Sequence, residues 1–325
     1  MHRVTGNIGC AGILVEDTFC GPMDRLPAGG ELLPLAGMPV HVGGCAANVG
    51  LGLIKQGHRV GLSGCLGEDA SADTILALLG QAGADVAQVV KTPGHPTSKT
   101  VILLVKNEDR RYLHVFGANQ AFTSARLPAA WLDTLDVLYV GGLFALPGLD
   151  LAGLADALAH CRAAGIATVL DVVVPPTGPR LEQFASLLPH VDYFLPNTDE
   201  ARVFTGLDDP VQQARALQKA GARTVVVTLG ADGAVALRGD QGWRCGAYAD
   251  DGIDPSGAGD AFAAGLIHAH LQKWDLPRAL HYASAIGQSA TRALGTTAGI
   301  FTADEADHFV SRHHLPVTEI KITAQ

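Results

Sequence analysis

The chain has 325 residues, 48% of them hydrophobic, so it can bury a large core, and we favour one large α/β domain over two modest ones. Its net charge of -9 leaves no basic excess for a nucleic-acid backbone, which argues against a nucleic-acid partner. Six scattered cysteines without a C-x-x-C pair and the lack of a long apolar run predict a cytoplasmic protein with reduced thiols, no zinc site and no membrane span.

The N-terminal region predicts a buried strand over residues 4–11, followed by a small sheet. Residues 31–35 and 39–42 are short strand candidates before the first helix, and such strands are expected to project from the main body. Asp17 lies after the first strand, where an aspartate is ordinarily a solvated turn residue.

A glycine pair, Gly43 and Gly44, opens a predicted helix that runs to about residue 57 and contains Asn48. Small residues in this stretch let a ligand or a neighbouring backbone approach closely. Taken alone, the stretch is best explained as a glycine turn followed by a helix-facing amide.

Two β-rich runs, residues 97–105 and 111–116, flank Asn107-Glu108-Asp109 and predict a hairpin, with Asn119 shortly after it. From residue 136 onward strand and helix patterns alternate, which implies parallel strands with helices on both faces of a central sheet. Ligands in such sheets bind beyond the carboxyl ends of the strands, and Asp171 is predicted to lie at or near such an end.

Two further turns follow predicted strands. Asn197 and Glu200 are three residues apart at a predicted helix start, which is the spacing of an ordinary capping box. Thr228, Gly230 and Gly233 lie at a strand end and a tight turn, and a hairpin explains the turn equally well.

The stretch Asp254-Pro255-Ser256-Gly257-Ala258-Gly259-Asp260 predicts a turn that opens a helix near Gly257. A helix start offers unpaired N–H groups and the positive end of the helix dipole, which suit a phosphate. A carboxylate at Asp260 would repel an anion in a simple binding site, but a general base facing a phosphoryl group needs one. A first-turn aspartate stabilised by the dipole explains Asp260 as well, so the residues alone leave the two interpretations even.

Gly257-Ala258-Gly259-Asp260 resembles the C-terminal signature D-T-x-G-A-G-D of the ribokinase (PfkB) family of sugar and nucleoside kinases. The resemblance implies one catalytic domain with an α/β fold, a ribokinase-like three-layer α/β/α sandwich. Its central sheet would be mainly parallel, with a small β-sheet lid formed by residues 15–42 and 97–118. The resemblance also implies that Asp260 is the general base and that Gly257, Ala258 and Gly259 form the anion hole for the transferred phosphoryl group.

The same resemblance extends to the earlier motifs. It implies that the following residues contact the sugar: Asp17, Gly43, Gly44, Asn48, Asn119 and Asp171. It implies that the following residues hold the nucleotide: Asn197, Thr228, Gly230, Gly233, Gly257 and Gly259. Glu200 would bind Mg²⁺ through water, since Mg²⁺ needs few direct carboxylates. Asp254 and Ser256 would bind a monovalent cation such as K⁺, although Pro255 departs from the family pattern and has no N–H to donate.

These expectations describe an ATP-dependent kinase that phosphorylates a hydroxymethyl group of a sugar or related polyol, working as a homodimer joined through its lids. The alternatives are a nucleoside kinase of the same family, a phosphosugar kinase, and a catalytically silent sugar-binding regulator. The retained Asp260 argues against the regulator. A panel of acceptors in an ADP-release assay separates the kinases.

Overall fold

Two sheets and a set of helices make up the residues that the computed structural model describes, which are 3–106, 108, 110–175, 177–248 and 252–322. The large sheet has the strands Asn7–Gly12 (β1), Arg59–Leu66 (β4), Asp85–Lys91 (β5), Val137–Leu143 (β8), Ala167–Val172 (β9), Tyr193–Phe194 (β10), Thr224–Thr228 (β11), Ala234–Arg238 (β12), Gln241–Cys245 (β13) and Val317–Ile320 (β14). The small sheet has the strands Val15–Met23 (β2), Val40–Gly43 (β3), Lys99–Val105 (β6) and Arg111–Val115 (β7). The helices are Cys45–Lys55 (α1), Ala70–Gln81 (α2), Ala129–Leu132 (α3), Leu151–Ala163 (α4), Thr198–Thr205 (α5), Pro210–Lys219 (α6), Ala258–Leu271 (α7), Leu276–Ala290 (α8) and Ala303–Arg312 (α9).

The large sheet is mainly parallel, as predicted. Its spatial order is β14-β13-β12-β11-β10-β9-β8-β1-β4-β5, and the antiparallel pairs lie at the β12–β14 edge. Alternate residues of β8 enter different cores, since Val137 and Tyr139 pack with α1 and α7 while Leu138 and Val140 pack with α4 and α6. Helices therefore cover both faces, which explains why every residue of β8 is buried.

The small sheet follows directly on β1, so it stands near the carboxyl edge of the central strands. Its order is β3-β2-β6-β7, and Asp17 is paired in register with His41 on one side and Thr100 on the other. The predicted hairpin forms, since β6 and β7 pair antiparallel; Asn107 and Asp109 of its loop lie outside the described residues. The role of this sheet as a lid stays a prediction.

The strand expected over residues 31–35 does not form. Both edges of β2 are already occupied, by β3 and β6, and Pro34 has no N–H with which to join a ladder. Leu33 and Leu35 instead pack against the apolar face of the small sheet, while Leu32 is 86% exposed. The segment is thus a loop that covers one end of the small sheet.

Within the described ranges, none of the helices combines the length and apolar character that crossing a lipid bilayer requires. All six cysteines are free thiols, and five of them are buried.

Two buried histidines join α7 to the turn after α1. Nε2 of His58 and Nδ1 of His268 are 2.9 Å apart, and Nδ1 of His58 accepts a hydrogen bond from the N–H of Gly6 at 3.1 Å. The His58 ring therefore donates through Nε2 and both rings are neutral. Burial lowers the pKa of His58 to about 4 and also lowers the pKa of His268.

This pair predicts a loss of stability in acid. Histidines of the unfolded chain bind protons below about pH 6.5, whereas the folded pair resists protonation until lower pH. The contribution of this pair to the free energy of unfolding should therefore be complete above about pH 6.5 and should fall as the pH approaches about 4. Urea unfolding along this range measures the slope, which should become shallower in His268→Gln. His308→Gln, which changes an exposed histidine, should keep the wild-type slope, and equal slopes in both variants would contradict the assignment.

Candidate active site

The start of α7 combines an enforced glycine turn with open space. Gly257 is the N-cap residue with φ 77°, and a Cβ there would lie 2.3 Å from the carbonyl oxygen of Thr296, so no other residue fits. A Cβ built on Gly259 meets nothing within 4 Å. Because the first-turn N–H groups of a helix lack intrahelical partners, this open space suits an anion.

Asp260 lies in the first turn of α7 and is held from α1. Nδ2 of Asn48 donates to its Oδ2 at 2.8 Å, and Oδ1 of Asn48 accepts from the hydroxyl of Thr296 at 2.7 Å. The Cys45 thiol also donates to Asp260. Burial, and then the charge of Asp171, raise the pKa of Asp260 to about 7. A carboxylate with this pKa can gain and lose a proton near neutral pH.

Asp17 lies in β2 rather than in the predicted turn, and it is only 7% exposed. A Cβ on Gly43 would lie 1.8 Å from Oδ2 of Asp17, so the missing side chain at position 43 makes room for this carboxyl group. Burial raises the pKa of Asp17 to about 6, although the Thr100 hydroxyl donates to it. Gly43 lies just before α1, whose Asn48 holds Asp260, and the charge of Asp17 makes a small contribution to the raised pKa of Asp260.

Gly44 and Asn119 have contacts within the protein that account for their presence. Gly44 is the N-cap residue of α1 with φ 93°, and a Cβ there would lie 2.4 Å from the carbonyl oxygen of Ile13. The Asn119 amide bridges both backbone groups of Leu14: it accepts from the N–H at 3.2 Å and donates to the carbonyl at 3.0 Å. These contacts shape the turn between β1 and β2, and contacts of Gly44 and Asn119 with a substrate stay predictions.

Two more carboxyl groups with raised pKa values are Asp171, whose charge acts on Asp260, and Glu200, on which the charge of Asp171 acts. Asp171, in β9, accepts a hydrogen bond from the Tyr139 hydroxyl at 2.9 Å, and burial raises its pKa to about 6. Burial raises the pKa of Glu200 to about 8, with a smaller contribution from the charge of Asp171. A nearby cation would lower these raised pKa values and favour the ionised carboxylates.

The capping box expected at the start of α5 is present. The Asn197 side chain accepts from the N–H groups of Asp199 and Glu200, each at 2.9 Å, and Glu200 accepts from the N–H of Asn197 at 2.9 Å. No group of three or more His, Cys, Asp or Glu side chains arranged to hold a metal occurs in the parts of the chain that the structure describes. One carboxylate with water and phosphate ligands remains adequate for Mg²⁺, so the chemistry of Glu200 fits the predicted ion.

A cavity of about 760 Å³ lies between the β11–β12 turn and helices α7 and α8. Its lining includes all three predicted nucleotide residues of that turn together with Ala258 and Gly259 of the anion-hole motif. The predicted members are Thr228, Gly230 and Gly233, and Phe262, Ser284 and Gln288 line the side formed by α7 and α8. The size lies in the range of small-molecule sites, and Gly259 in the lining directly precedes Asp260 in the chain.

Asp254 and Ser256 are in contact with an arginine of the small sheet. Nη1 of Arg110 donates to Oδ1 of Asp254 at 2.9 Å and also to the hydroxyl of Ser256. Oδ1 of Asp254 accepts from the N–H of Ser256 at 2.9 Å, and its Oδ2 accepts from the N–H of Gly295 at 3.0 Å. The side chains expected to bind a monovalent cation are therefore already paired with a guanidinium.

Sequence reasoning did not assign a role in the site to Cys45, Thr100, Tyr139 or Arg110. Each of these side chains contacts a predicted site residue that is far away along the chain, so no local spacing marks it. The position of Cys45 directly after Gly43 and Gly44 was the one available signal.

The chain is similar to known proteins both in sequence and in fold. A sequence model described as "pfkB family carbohydrate kinase" matches residues 17–303. The chain is 24% identical over 293 residues to a deoxyribokinase of Salmonella typhi, covering 89% of this chain and 94% of the relative. It superposes with a TM-score of 0.80 on Arabidopsis thaliana ribokinase complexed with ribose and ATP, at 22% identity and 94% and 99% coverage. An Escherichia coli protein in complex with ATP and Mg²⁺ gives a TM-score of 0.79 at 19% identity, with 95% and 100% coverage.

Proposed function

Because this chain belongs to the pfkB family of carbohydrate kinases, we propose that it transfers the γ-phosphoryl group of ATP to a hydroxymethyl group of a sugar or related polyol, with Asp260 as the general base. The observation that carries the proposal is that Ala258 and Gly259, which directly precede Asp260 in α7, line the cavity, while Asn48 of α1 holds the Asp260 carboxyl group. A phosphoryl donor on one side and a polyol on the other would meet at this carboxyl group.

The residues of the cavity support ATP as the donor. Gly257, Ala258 and Gly259 place a helix start at the end of the cavity, where backbone N–H groups can bind a transferring phosphoryl group. The turn containing Thr228, Gly230 and Gly233 would hold the rest of the phosphates and the ribose, with Asn197 supporting them. Mg²⁺ beside Glu200 would supply positive charge next to the phosphates of ATP.

The chemistry assigned to the side chains follows from their contacts. Asn48 fixes the Asp260 carboxyl group, so its free oxygen can accept the proton of the attacking hydroxyl. Asp17 and Asp171 would accept hydrogen bonds from other hydroxyls of the acceptor and orient it. Carboxylates suit this role because each can accept hydrogen bonds from two neighbouring hydroxyls of a polyol. The anion hole at Gly257–Gly259 would stabilise charge on the phosphoryl oxygens as the new O–P bond forms and ADP leaves.

The acidic character of the acceptor side favours a neutral substrate. Burial, and then the charges of Asp171 and Asp17, already raise the pKa of Asp260, so a phosphate or carboxylate on the acceptor would add further repulsion. An ADP-release assay with neutral sugars, polyols, ribonucleosides, sugar acids and phosphosugars tests the proposal. Turnover with a neutral sugar is expected; turnover with none of these acceptors would sink the kinase assignment, and turnover only with a nucleoside would move it to the alternative.

The proposal also covers the oligomeric state of the protein and its location in the cell. Strand β7 is a free edge of the small sheet and exposes Tyr112, Leu113, Val115 and the following Phe116. An edge with these apolar side chains suits pairing with a second copy, so the proposal includes a homodimer joined through the lids. It also includes the cytoplasm as the location, where ATP, Mg²⁺ and reducing conditions for free thiols are available. A K⁺ ion at Asp254 and Ser256 stays a prediction, and the contacts of Arg110 oppose it.

The pKa of Asp260 predicts the pH dependence of the reaction. The base must be ionised to accept a proton, and its pKa is about 7, so kcat/KM should fall roughly tenfold per pH unit below that value. In Asp171→Asn the charge that raises this pKa is gone, so the acidic limb should move to lower pH even if the maximum is smaller. Steady-state rates from about pH 5 to 9 measure the limb, and a profile that is flat across this range would contradict the assigned base.

A further inference from the structure

The contact between the small sheet and the turn before α7 is a buried ion pair. Asp254 is 2% exposed, and Arg110 approaches it from the residue that directly precedes β7, 144 positions earlier in the chain. The two segments are far apart in the sequence, so only the tertiary fold brings them into contact. A cavity of about 410 Å³ runs along the same junction and includes both side chains in its lining.

Asp254 connects this pair to two segments of the active site. Its Oδ1 also accepts from the N–H of Ser256, which precedes the enforced turn at Gly257. Its Oδ2 accepts from the N–H of Gly295, and the next residue, Thr296, orients the Asn48 side chain. The Asp254 carboxylate therefore fixes the turn that leads into the predicted anion hole. It also fixes the loop of Gly295 and Thr296, which orients Asn48 against Asp260.

A carboxylate this buried needs a positive partner, and the family resemblance implies that a monovalent cation fills that need. The side chains do not fit such an ion here. Both Asp254 oxygens accept hydrogen bonds, and the Ser256 hydroxyl also receives the guanidinium. Arginine carries a permanent single positive charge and several donors in a fixed plane, so it can satisfy a carboxylate and a hydroxyl at once.

We propose that Arg110 is a positioning residue of this kinase: its guanidinium replaces the monovalent cation at Asp254 and Ser256, so turnover does not require K⁺. The effect of Arg110 on the reaction rate rests on the proposed function, whereas the ion pair between Arg110 and Asp254 is independent of it. The charge comes from the small sheet that carries Asp17, so one sheet supplies both a substrate ligand and the cation that holds the anion-hole turn.

The test compares wild type, Arg110→Ala, Arg110→Lys and Arg111→Ala in KCl, NaCl and choline chloride at equal ionic strength. Wild type should turn over equally in all three salts. In choline chloride Arg110→Ala should lose between about 10-fold and 10²-fold in kcat, because the anion-hole turn is misplaced. KCl or added guanidinium should restore part of this loss, since the cavity admits small cations. Arg110→Lys should keep its salt independence.

Arg111→Ala is the matched control, because Arg111 is the neighbouring arginine and is an exposed residue paired with Glu108. It should behave like wild type in every salt. A wild type that K⁺ activates strongly over choline would overturn the proposal, and so would an Arg110→Ala variant with unchanged kcat.

Thermal unfolding in the same salts gives a readout that needs no activity. The midpoint of wild type should be equal in KCl and choline chloride, while Arg110→Ala should unfold several degrees lower in choline and recover in KCl. If wild type phosphorylates no acceptor, the proposed function fails, and these midpoints still decide the role of Arg110. Midpoints of Arg110→Ala that equal those of wild type in both salts would refute the ion replacement.

Discussion

Replacing Asp260 by Asn should lower turnover by roughly 10²-fold to 10⁴-fold while the protein stays folded and still binds ATP. The amide keeps the shape of the carboxyl group and can accept the hydrogen bond from Asn48, but it cannot accept the proton of the attacking hydroxyl. Steady-state rates with the best acceptor and calorimetric titration with ATP measure the two effects separately.

The stability of this variant offers an independent check. Because the pKa of Asp260 is raised to about 7, the folded state binds its proton more tightly than the unfolded state does. Ionisation therefore costs stability as the pH rises from about 3.8 to about 7, and an uncharged amide avoids that cost. The variant should thus unfold at a temperature no lower than wild type at neutral pH. Asp240→Asn, which changes a fully exposed side chain, is the matched control and should keep its activity. Wild-type turnover in Asp260→Asn would remove the general base from the mechanism.

Adding one methyl group at Gly43 should impair the binding of the acceptor strongly. The new Cβ would lie 1.8 Å from Oδ2 of Asp17, so the Asp17 side chain must rotate out of its position. Displacement of a substrate ligand by about 1 Å can cost about 10²-fold in rate, and we expect kcat/KM for the acceptor of Gly43→Ala to fall by at least that much. Because the clashing atom is the end of a side chain, the fold should tolerate the change.

Gly37→Ala provides the control for this second variant. Gly37 lies in the loop before β3, and a Cβ there meets nothing within 4 Å. Its rates and its unfolding midpoint should match wild type. If Gly43→Ala kept the wild-type kcat/KM for the acceptor, Asp17 would not be a ligand of the substrate. An equal loss in both variants would attribute the effect to general strain in the small sheet.

Several local features followed from the residues themselves. The helix start at Gly257, the capping box of Asn197 and Glu200 and the hairpin after residue 97 depend on spacings of a few residues, and all three are present. The mainly parallel sheet also followed from the alternation of strand and helix patterns. The strand over residues 31–35 was wrong, because whether an apolar run joins a sheet depends on a free edge elsewhere.

The candidate site also contains one part that follows from a local motif and another that depends on contacts between distant residues. The signature ending at Asp260 indicated phosphoryl transfer through its resemblance to the kinase family, whereas its glycines and carboxylate alone fitted a dipole-stabilised aspartate equally well. It could not reveal that Asn48 fixes that carboxylate, that Gly43 makes room for Asp17, or that Arg110 neutralises Asp254. These contacts join residues far apart in the chain.

The sequence by itself determined the elements and the class of fold, since hydrophobic period, capping residues and glycine turns act over short stretches of backbone, and its resemblance to a kinase family indicated the type of chemistry. Only the tertiary structure decided which charges meet. The pKa of a buried carboxyl group is set by the desolvation and the charges that folding brings around it, and the raised pKa of Asp260 arises from burial and from Asp171 on another strand. The pattern of residues next to Asp260 in the sequence does not contain the distances from its carboxyl group to the other charges in the folded protein.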